Sequence, residues 1–275
     1  MERTFPIVTP ELAKRLEAVE HVGLVRRVEA LQTDESKRES VSLKRFGNGT
    51  ALINKKNPWS FINKVIGLQV EDLPLLPEIV EYYAAHDVTC RIKTNPAYAT
   101  GEFLAALSAH GFVAEEFSDS TMYGVATEDI PPLPEGITIQ KLTYDQMDQF
   151  AQLYTQAMNQ PPARAASIAH NNRLIAAANS GYHYYTAAVD GVPASVAMMF
   201  LLDGVASFCT AATLSDYRGH GLQQALINRR IQDAARLGCE LIVAQAAFNS
   251  PSHRNMLRSG MQVAFTDLMF KLPRE

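Results

Sequence analysis

The feature that most limits how this chain can fold is a proline-rich break near its middle. Three prolines and one glycine fall within the eight residues 129–136. Proline lacks a backbone N–H and glycine favours turns, so neither a helix nor a central strand continues through such a stretch. A chain of 275 residues is also long enough for two domains of ordinary size. We therefore expect one domain over residues 1–132 and another over residues 133–275.

The second half alternates strand and helix patterns. Residues 182–214 are typical of three strands, because Asp190-Gly191 and Asp203-Gly204 are strong turn sequences. The other predicted strands are 137–142, 241–247 and 261–272, and the predicted helices are 143–158, 161–178, 222–237 and 251–258. This order predicts an α/β fold with a mixed sheet and helices on both of its faces.

The first half ends in a similar order of elements. Predicted strands at 61–68 and 88–93 alternate with helices at 75–85 and 97–109, and a last strand runs from Gly111 to Val125. Gly111-Phe112 corresponds to Gly260-Met261, at an offset of about 149 residues, which indicates an internal repeat. Residues 10–31 predict an amphipathic helix, and residues 35–46 a polar loop or an edge strand.

Charge and cysteine content exclude several classes of function. Lys and Arg number 14 against 19 Asp and Glu up to residue 132, and 11 against 10 after it. With no long basic run, nucleic acid is not an expected partner, and an anionic ligand would suit the second half better. Three cysteines without metal-ligand spacing predict reduced thiols, no metal site and a cytoplasmic protein. No segment predicts a signal peptide or a membrane span.

The segment most informative about function runs from Thr213 to Leu226. A predicted strand enters a loop with Gly219 and Gly221, and a long predicted helix follows at once. Glycines let successive backbone N–H groups point into one concavity, and a helix N-terminus adds partial positive charge. Such a loop can hold a pyrophosphate, with help from Arg218. An isolated Gly-x-Gly is more often an ordinary turn, so the flanking sequence matters.

The sequence on both sides of this loop resembles a known family. Tyr217-Arg-Gly-His-Gly-Leu-x-x-Ala-Leu226 resembles the acetyl-CoA loop of the GCN5-related N-acetyltransferases (GNAT). Asn249, followed eleven residues later by Gly260-Met261, resembles a later motif of that family. The resemblance covers residues 136–272, with a degenerate copy over 46–127. It implies the GNAT acyl-CoA N-acyltransferase fold in tandem, with acetyl-CoA as co-substrate.

The resemblance also implies which residues would bind acetyl-CoA. The end of the strand before the loop would lie along the pantetheine arm, the loop and first helical turn would bind the pyrophosphate, and Asn249 would lie near the thiol. The implied residues are Ala211, Ala212, Thr213, Arg218, Gly219, His220, Gly221, Leu222, Gln223 and Asn249.

The chain departs from the family pattern at three places. Gln223 stands where the family has a third small residue, and Met256 stands where it often has the Tyr that acts as acid. The strand 205–214 carries no carboxylate that could act as a base. The catalytic residues are therefore left open, with His253, Ser252 and Tyr184 as candidates. His253 has the ordinary pKa best suited to proton transfer near neutrality.

These features lead to one main hypothesis of function and two alternatives. The main hypothesis is an N-acetyltransferase that transfers acetyl directly to a primary amine of a small molecule or amino-acid-like metabolite. The alternatives are a non-catalytic CoA-binding or sensing module, and an unrelated α/β domain with an ordinary turn. An oligomer is compatible with all three. The counterpart of the loop in the first half, residues 68–77, has two carboxylates and two prolines, so we expect no cofactor there.

Overall fold

A computed structural model describes residues 5–56, 62–115, 119–178 and 180–274 of the chain. The α-helices are α1 Pro10–Gln32, α2 Leu76–Ala85, α3 Gly101–Ala109, α4 Met147–Ala157, α5 Arg164–Ala177, α6 Leu222–Arg236 and α7 Pro251–Arg258. The strands are β1 Val41–Phe46, β2 Gly49–Asn54, β3 Lys64–Ile66, β4 Arg91–Thr94, β5 Val113–Ala114, β6 Asp119–Val125, β7 Ile137–Leu142, β8 Tyr182–Val189, β9 Val192–Leu202, β10 Val205–Thr213, β11 Leu241–Ala247, β12 Gln262–Thr266 and β13 Leu268–Lys271. Within these ranges, every helix is too short or too polar to cross a lipid bilayer.

The strands form two mixed sheets. One has six strands in the order β1-β2-β3-β4-β13-β5, and the other has seven in the order β12-β6-β11-β10-β9-β8-β7. Each sheet combines antiparallel neighbours with a parallel pair, β3 with β4 in the first and β10 with β11 in the second. The predicted mixed α/β fold is confirmed.

The chain packs as two compact units that are not continuous in sequence. One comprises Met122–Val263 with Phe5 and Pro6, and the other comprises Ile7–Thr121 together with the chain from Ala264 onward. Compact packing does not by itself show which segments can fold alone. The division into domains at residue 132 therefore stays a prediction.

Two strands belong to the sheet that their place in the sequence does not suggest. β6 comes from the first half of the chain and lies in the seven-stranded sheet, whereas β13, the last strand, lies between β4 and β5. The prediction of a single strand at 261–272 is wrong, because the chain passes from β12 in one sheet to β13 in the other at Asp267. The strand predicted from 111 to 125 is likewise two strands, β5 and β6. Alternating side chains predict a strand, but they carry no information on its partner.

The internal repeat is visible in the backbone where two helices end. Gly111 after α3 and Gly260 after α7 have left-handed φ angles of 80° and 82°. In both places the next residue donates its N–H back into the helix, from Phe112 to the Leu107 carbonyl and from Met261 to the Met256 carbonyl, each at 3.0 Å. A glycine permits this helix end because it has no Cβ. The predicted correspondence of these two glycines is therefore matched by the same helix ending.

In the unit built on the seven-stranded sheet, each face of the sheet buries an apolar layer. Helix α6 covers one face through the side chains of Leu226, Ile227 and Ile231. Helices α4 and α5 cover the other face with a cluster that includes Phe150 and Tyr184. Both layers follow from the period of 3.6 residues in the helices and 2 in the strands.

The other unit buries a cluster of charged side chains between α1 and its sheet. Glu20 of α1 accepts hydrogen bonds from Lys64, at 2.7 Å, and from Lys93. Lys93 also lies 3.2 Å from the Asp267 carboxylate. Burial opposes ionisation of Glu20, but the two ammonium groups outweigh it and lower its pKa to about 2. Glu17 is 4% exposed, and burial raises its pKa to about 8.

Candidate functional site

The candidate site begins where two parallel strands separate. β10 pairs with β11 from Val205–Leu241 to Phe208–Ala244, and the pairing stops there although both strands continue. Beyond Phe208, β10 remains paired only with β9 on its other side. We call this divergence between β10 and β11 the fork. An extended ligand can enter the fork and bind main-chain groups as an added strand does.

A β-bulge lies in β10 at the fork. Phe208 pairs with Met199 and Ala211 pairs with Ala197, so one residue of β9 faces two residues of β10. A bulge leaves an extra residue out of the ladder and bends its strand. The bend occurs where β10 leaves β11.

The loop after β10 leads directly to the start of α6. Gly219 and Gly221 have left-handed φ angles of 86° and 79°, which side chains rarely adopt. Among the described residues, no atom lies within 4 Å of a Cβ built at Gly219, and at Gly221 the nearest is Ile137 at 4.0 Å. Both glycines thus leave open space beside the loop, as the predicted phosphate contact requires.

No side chain caps the N-terminus of α6. Gly221 is the N-cap and has no side-chain oxygen, whereas Ser250 caps α7 and Thr9 caps α1 through their hydroxyls. The first N–H groups of a helix have no partner within the helix. In a helix of 15 residues these donors also carry the positive end of the dipole. The start of α6 is therefore suited to an anion.

Gln223, the departure from the small residue of the family, is held away from the loop. Its side-chain amide donates to Ser252 Oγ at 2.9 Å, and its oxygen accepts from Asn255 at 2.7 Å. The side chain thus connects α6 to α7, and the backbone near the loop stays accessible. Leu222 beside it is buried in the core, so only its backbone can serve a ligand.

The polar side chains of the loop are exposed. Arg218 reaches the carbonyl of Thr213 at 3.4 Å and that of Ala157 at 3.5 Å, so its guanidinium lies over the loop. His220 is exposed with its ring centroid 6.2 Å from that of Tyr217. Both are placed where an anion at the start of α6 could meet them.

Asn249 marks the end of the other branch of the fork. It lies in the turn after β11, two residues beyond Ala247, in a left-handed conformation with φ of 56°, and it is exposed. Its side-chain oxygen accepts from Arg254 at 3.2 Å, which orients the amide. On the β10 branch, Thr213 shares a hydrogen bond of 2.8 Å with Ser195, and Ala212 packs into the core. The residues predicted for cofactor binding thus line the two branches of the fork and the start of α6.

The three catalytic candidates come from two elements, Tyr184 from β8 and the neighbours Ser252 and His253 from α7. Tyr184 is buried in the layer under α4 and α5, and its hydroxyl is 3.5 Å from the Asn172 carbonyl. The hydroxyl of Ser252 is engaged by Gln223. His253 is 5% exposed, and neither ring nitrogen has a partner among the described residues. Their catalytic roles stay predictions.

Sequence reasoning missed a buried polar group on α6. Arginines on a helix are usually solvated, but Arg230 is 2% exposed. Nearby, burial and then the charge of Asp233 raise the pKa of Tyr185. The signal was the helical spacing, because residue 230 lies one turn after Leu226 and four residues before Ala234, both in the core.

Comparison with known proteins agrees with this geometry. Residues 144–261 match the model of the acetyltransferase (GNAT) family. None of the curated protein sequences matches the chain significantly.

The fold is similar to that of solved structures across nearly the whole chain. A GCN5-related N-acetyltransferase from Kribbella flavida superposes with a TM-score of 0.67 at 17% identity, over 96% of each chain. A tandem GNAT protein from the clavulanic acid biosynthesis pathway gives 0.64 at 13% identity, over 92% of this chain and 95% of that one. A GCN5-related N-acetyltransferase from Sphaerobacter thermophilus gives 0.56 at 15%, over 98% of each. The architecture is that of tandem GNAT proteins.

Proposed function

Because residues 144–261 form a GNAT-family domain, we propose that the chain is an N-acetyltransferase that uses acetyl-CoA. The observation that carries the proposal is that β10 separates from β11 and then leads through the glycine loop into the uncapped start of α6. An extended arm fits the first part of this path and a pyrophosphate fits the second. The acceptor is a primary amine of a small molecule or an amino-acid-like metabolite.

In the proposed reaction both substrates are bound together and acetyl moves directly. The amine nitrogen forms a bond to the acetyl carbon, the carbon–sulfur bond breaks, and one amine proton ends on the CoA sulfur. An amine has an ordinary pKa near 10, so a proton must leave to water or to a weak base before attack. Backbone N–H groups at Ala211–Thr213 serve the oxyanion that forms. Positioning of the two reactants supplies much of the rate.

In this proposal the protein acts in the reducing cytoplasm, where three cysteines without metal-ligand spacing stay as thiols. The buried Met256 cannot donate a proton, so protonation of the sulfur falls to water or to one of the candidates His253, Ser252 and Tyr184. A bound water is sufficient, because the thiolate of CoA is a weak base compared with an alkoxide.

The test combines binding with turnover. Acetyl-CoA at saturating concentration should raise the Tm, since a ligand that binds the native state stabilises it. Release of free CoA is then followed with a panel of amines, amino acids, polyamines and peptides. Stabilisation with turnover supports the enzyme, whereas stabilisation without turnover on any acceptor supports the alternative of a CoA-binding module. Absence of any Tm shift would remove both.

A further inference from the structure

Arg230 is a charged side chain inside the core of the seven-stranded unit. Its Nε donates to the Leu226 carbonyl at 3.1 Å, and its Nη1 donates to the Met198 carbonyl at 2.9 Å. The guanidinium carbon lies 4.3 Å from the centroid of the Phe208 ring. Over the described part of the chain, no carboxylate lies within 4.0 Å of it.

Such a position is costly for a cation. A buried charge without a counter-ion loses its hydration, and an apolar residue of similar size is often at least as stable. Burial lowers the pKa of Arg230 to about 10, so the side chain still carries its charge at neutral pH. Packing alone therefore gives no reason for an arginine at this position of α6.

The partners of Arg230 surround one spot, the bulge of β10. Met198 is the residue of β9 that faces the two bulged residues, Cys209 and Thr210. Phe208 is the last residue of β10 that pairs with β11. Through these two contacts, Arg230 holds both the strand opposite the bulge and the residue at which the fork opens.

We propose that Arg230 is a positioning residue that fixes the β10 bulge, and with it the backbone that receives the acetyl thioester. This inference rests on the proposed function. The bulge determines where the N–H groups after Phe208 point, and these are the donors assigned to the oxyanion. A shift of about 1 Å in such donors can cost on the order of a hundredfold in rate.

The test compares Arg230→Met with Arg229→Met. Methionine can still pack on Phe208 but cannot donate to Met198. Arg229, its neighbour on α6, is half-buried and pairs with Asp233 instead, which makes it the matched control. We expect Arg230→Met to lower kcat about tenfold or more while KM for acetyl-CoA changes less than about threefold. Arg229→Met should leave both nearly unchanged, and Arg230→Lys should restore part of kcat because an ammonium can still donate.

A second readout does not depend on activity. In the free protein, amide hydrogen exchange at residues 209–213 should be faster in Arg230→Met than in Arg229→Met or the parent. If no amine is acetylated, the proposed function is wrong. The comparison of amide hydrogen exchange still tests whether Arg230 holds the bulge in place. Unchanged exchange, or a folded Arg230→Met with parental kcat, would overturn the inference. If Arg230→Met does not fold, Arg230→Lys and Phe208→Leu provide the same comparison, with Phe208→Leu removing only the stacking.

Discussion

Gly221 combines two requirements in one residue. Its φ of 79° belongs to the region that glycine adopts most easily, and its position as N-cap leaves the α6 donors uncovered. Open space lies where a side chain would begin, with Ile137 no nearer than 4.0 Å. The described residues leave this space unfilled, so a ligand can occupy it.

Replacing Gly221 by Asp should abolish binding of acetyl-CoA. The carboxylate would cap the α6 donors and repel the two phosphates. Since Asp tolerates left-handed backbone better than most residues, we expect a loss of about 1 kcal/mol or less in the free energy of unfolding. Tm with and without acetyl-CoA checks both effects.

Gly191 provides the control for backbone strain. It has a φ of 80° in the β8–β9 turn, and a Cβ there would meet no atom of the described residues within 4 Å. Gly191→Asp should cost similar stability and leave binding intact. A folded Gly221→Asp that binds acetyl-CoA like the parent would contradict the assignment of the phosphate loop.

The local part of the site could be predicted from sequence, and the part that depends on packing could not. Gly219, Gly221 and Asn249 lie in short continuous motifs, and the strand, loop and helix around them form where the pattern indicates. Arg230 escaped prediction because its partners are a backbone carbonyl and an aromatic ring far away in sequence. Helical spacing puts residue 230 on the core face, but a charged residue on a helix is usually solvated, and the partners of Arg230 come together only in the fold.

At the scale of elements, long periodic patterns were located well. The helix predicted at 10–31 is α1, Pro10–Gln32, and the one predicted at 222–237 is α6. The helix predicted at 161–178 begins later, at Arg164, after a turn that contains both prolines. Strand β2 was missed because its apolar run is too short for its period to be read. From the sequence, Trp59 and Phe61 are candidates to line an acceptor pocket, and both lie outside the described residues.

In the other unit, the segment that corresponds to the phosphate loop binds a side-chain carboxylate of the protein itself. A short 3₁₀ helix, Val70–Leu75, begins where the loop would be, and Asp72 is 4% exposed. Its carboxylate accepts from the N–H groups of Asn48, at 3.1 Å, and Gln69, at 2.9 Å. The backbone donors there are already satisfied by a charge-assisted bond.

Asp72→Ala should therefore destabilise the protein without weakening acetyl-CoA binding. Loss of the carboxylate removes its charge-assisted hydrogen bonds to the N–H groups of Asn48 and Gln69, at a cost of about 1–3 kcal/mol. Glu71→Ala, next to it and exposed, should change neither property. Urea unfolding and acetyl-CoA titration measure the two effects, and a marked loss of affinity in Asp72→Ala would place a ligand in this unit.

Helix α1 contributes a group that should make stability depend on pH. The pKa of Glu17 is about 8 in the native state against 4.5 for an ordinary Glu, because burial disfavours its charge. Between these values the native state binds more protons than the unfolded chain, so stability falls as pH rises through this window. Above pH 8 the loss is complete.

Glu17→Gln should remove this loss, because an amide does not titrate. As the pH rises from 5 to 8.5, the free energy of unfolding of the variant should increase relative to that of the parent, by an amount on the order of a few kcal/mol at most. Thermal unfolding at both pH values measures it. Glu29→Gln, exposed on the same helix, serves as the control and should show no such trend. An equal difference between Glu17→Gln and the parent at both pH values would argue against a protonated Glu17.

At the scale of the whole molecule, the positions of β6 in the seven-stranded sheet and β13 in the six-stranded sheet determine which fragments of the chain can fold alone. Residues 119–266 contain every strand of the seven-stranded sheet, whereas residues 133–275 lack β6 and carry β13 without its neighbours. Without β6, β12 has no strand beside it. We expect 119–266 to give a cooperative thermal transition and 133–275 to aggregate, since unpaired edges promote association. A well-folded 133–275 would instead support the boundary at residue 132.

The place of β13 also constrains how the chain can mature on the ribosome. β4 and β5 are made early, yet the strand between them is encoded by residues 268–271. The six-stranded sheet therefore cannot be completed until residues 268–271 have been made and have left the ribosome. While residues 115–267 are made, β4 and the edge strand β5 lack the strand that joins them. Nascent chains of this protein should accordingly depend on chaperones for longer than the order of their elements suggests.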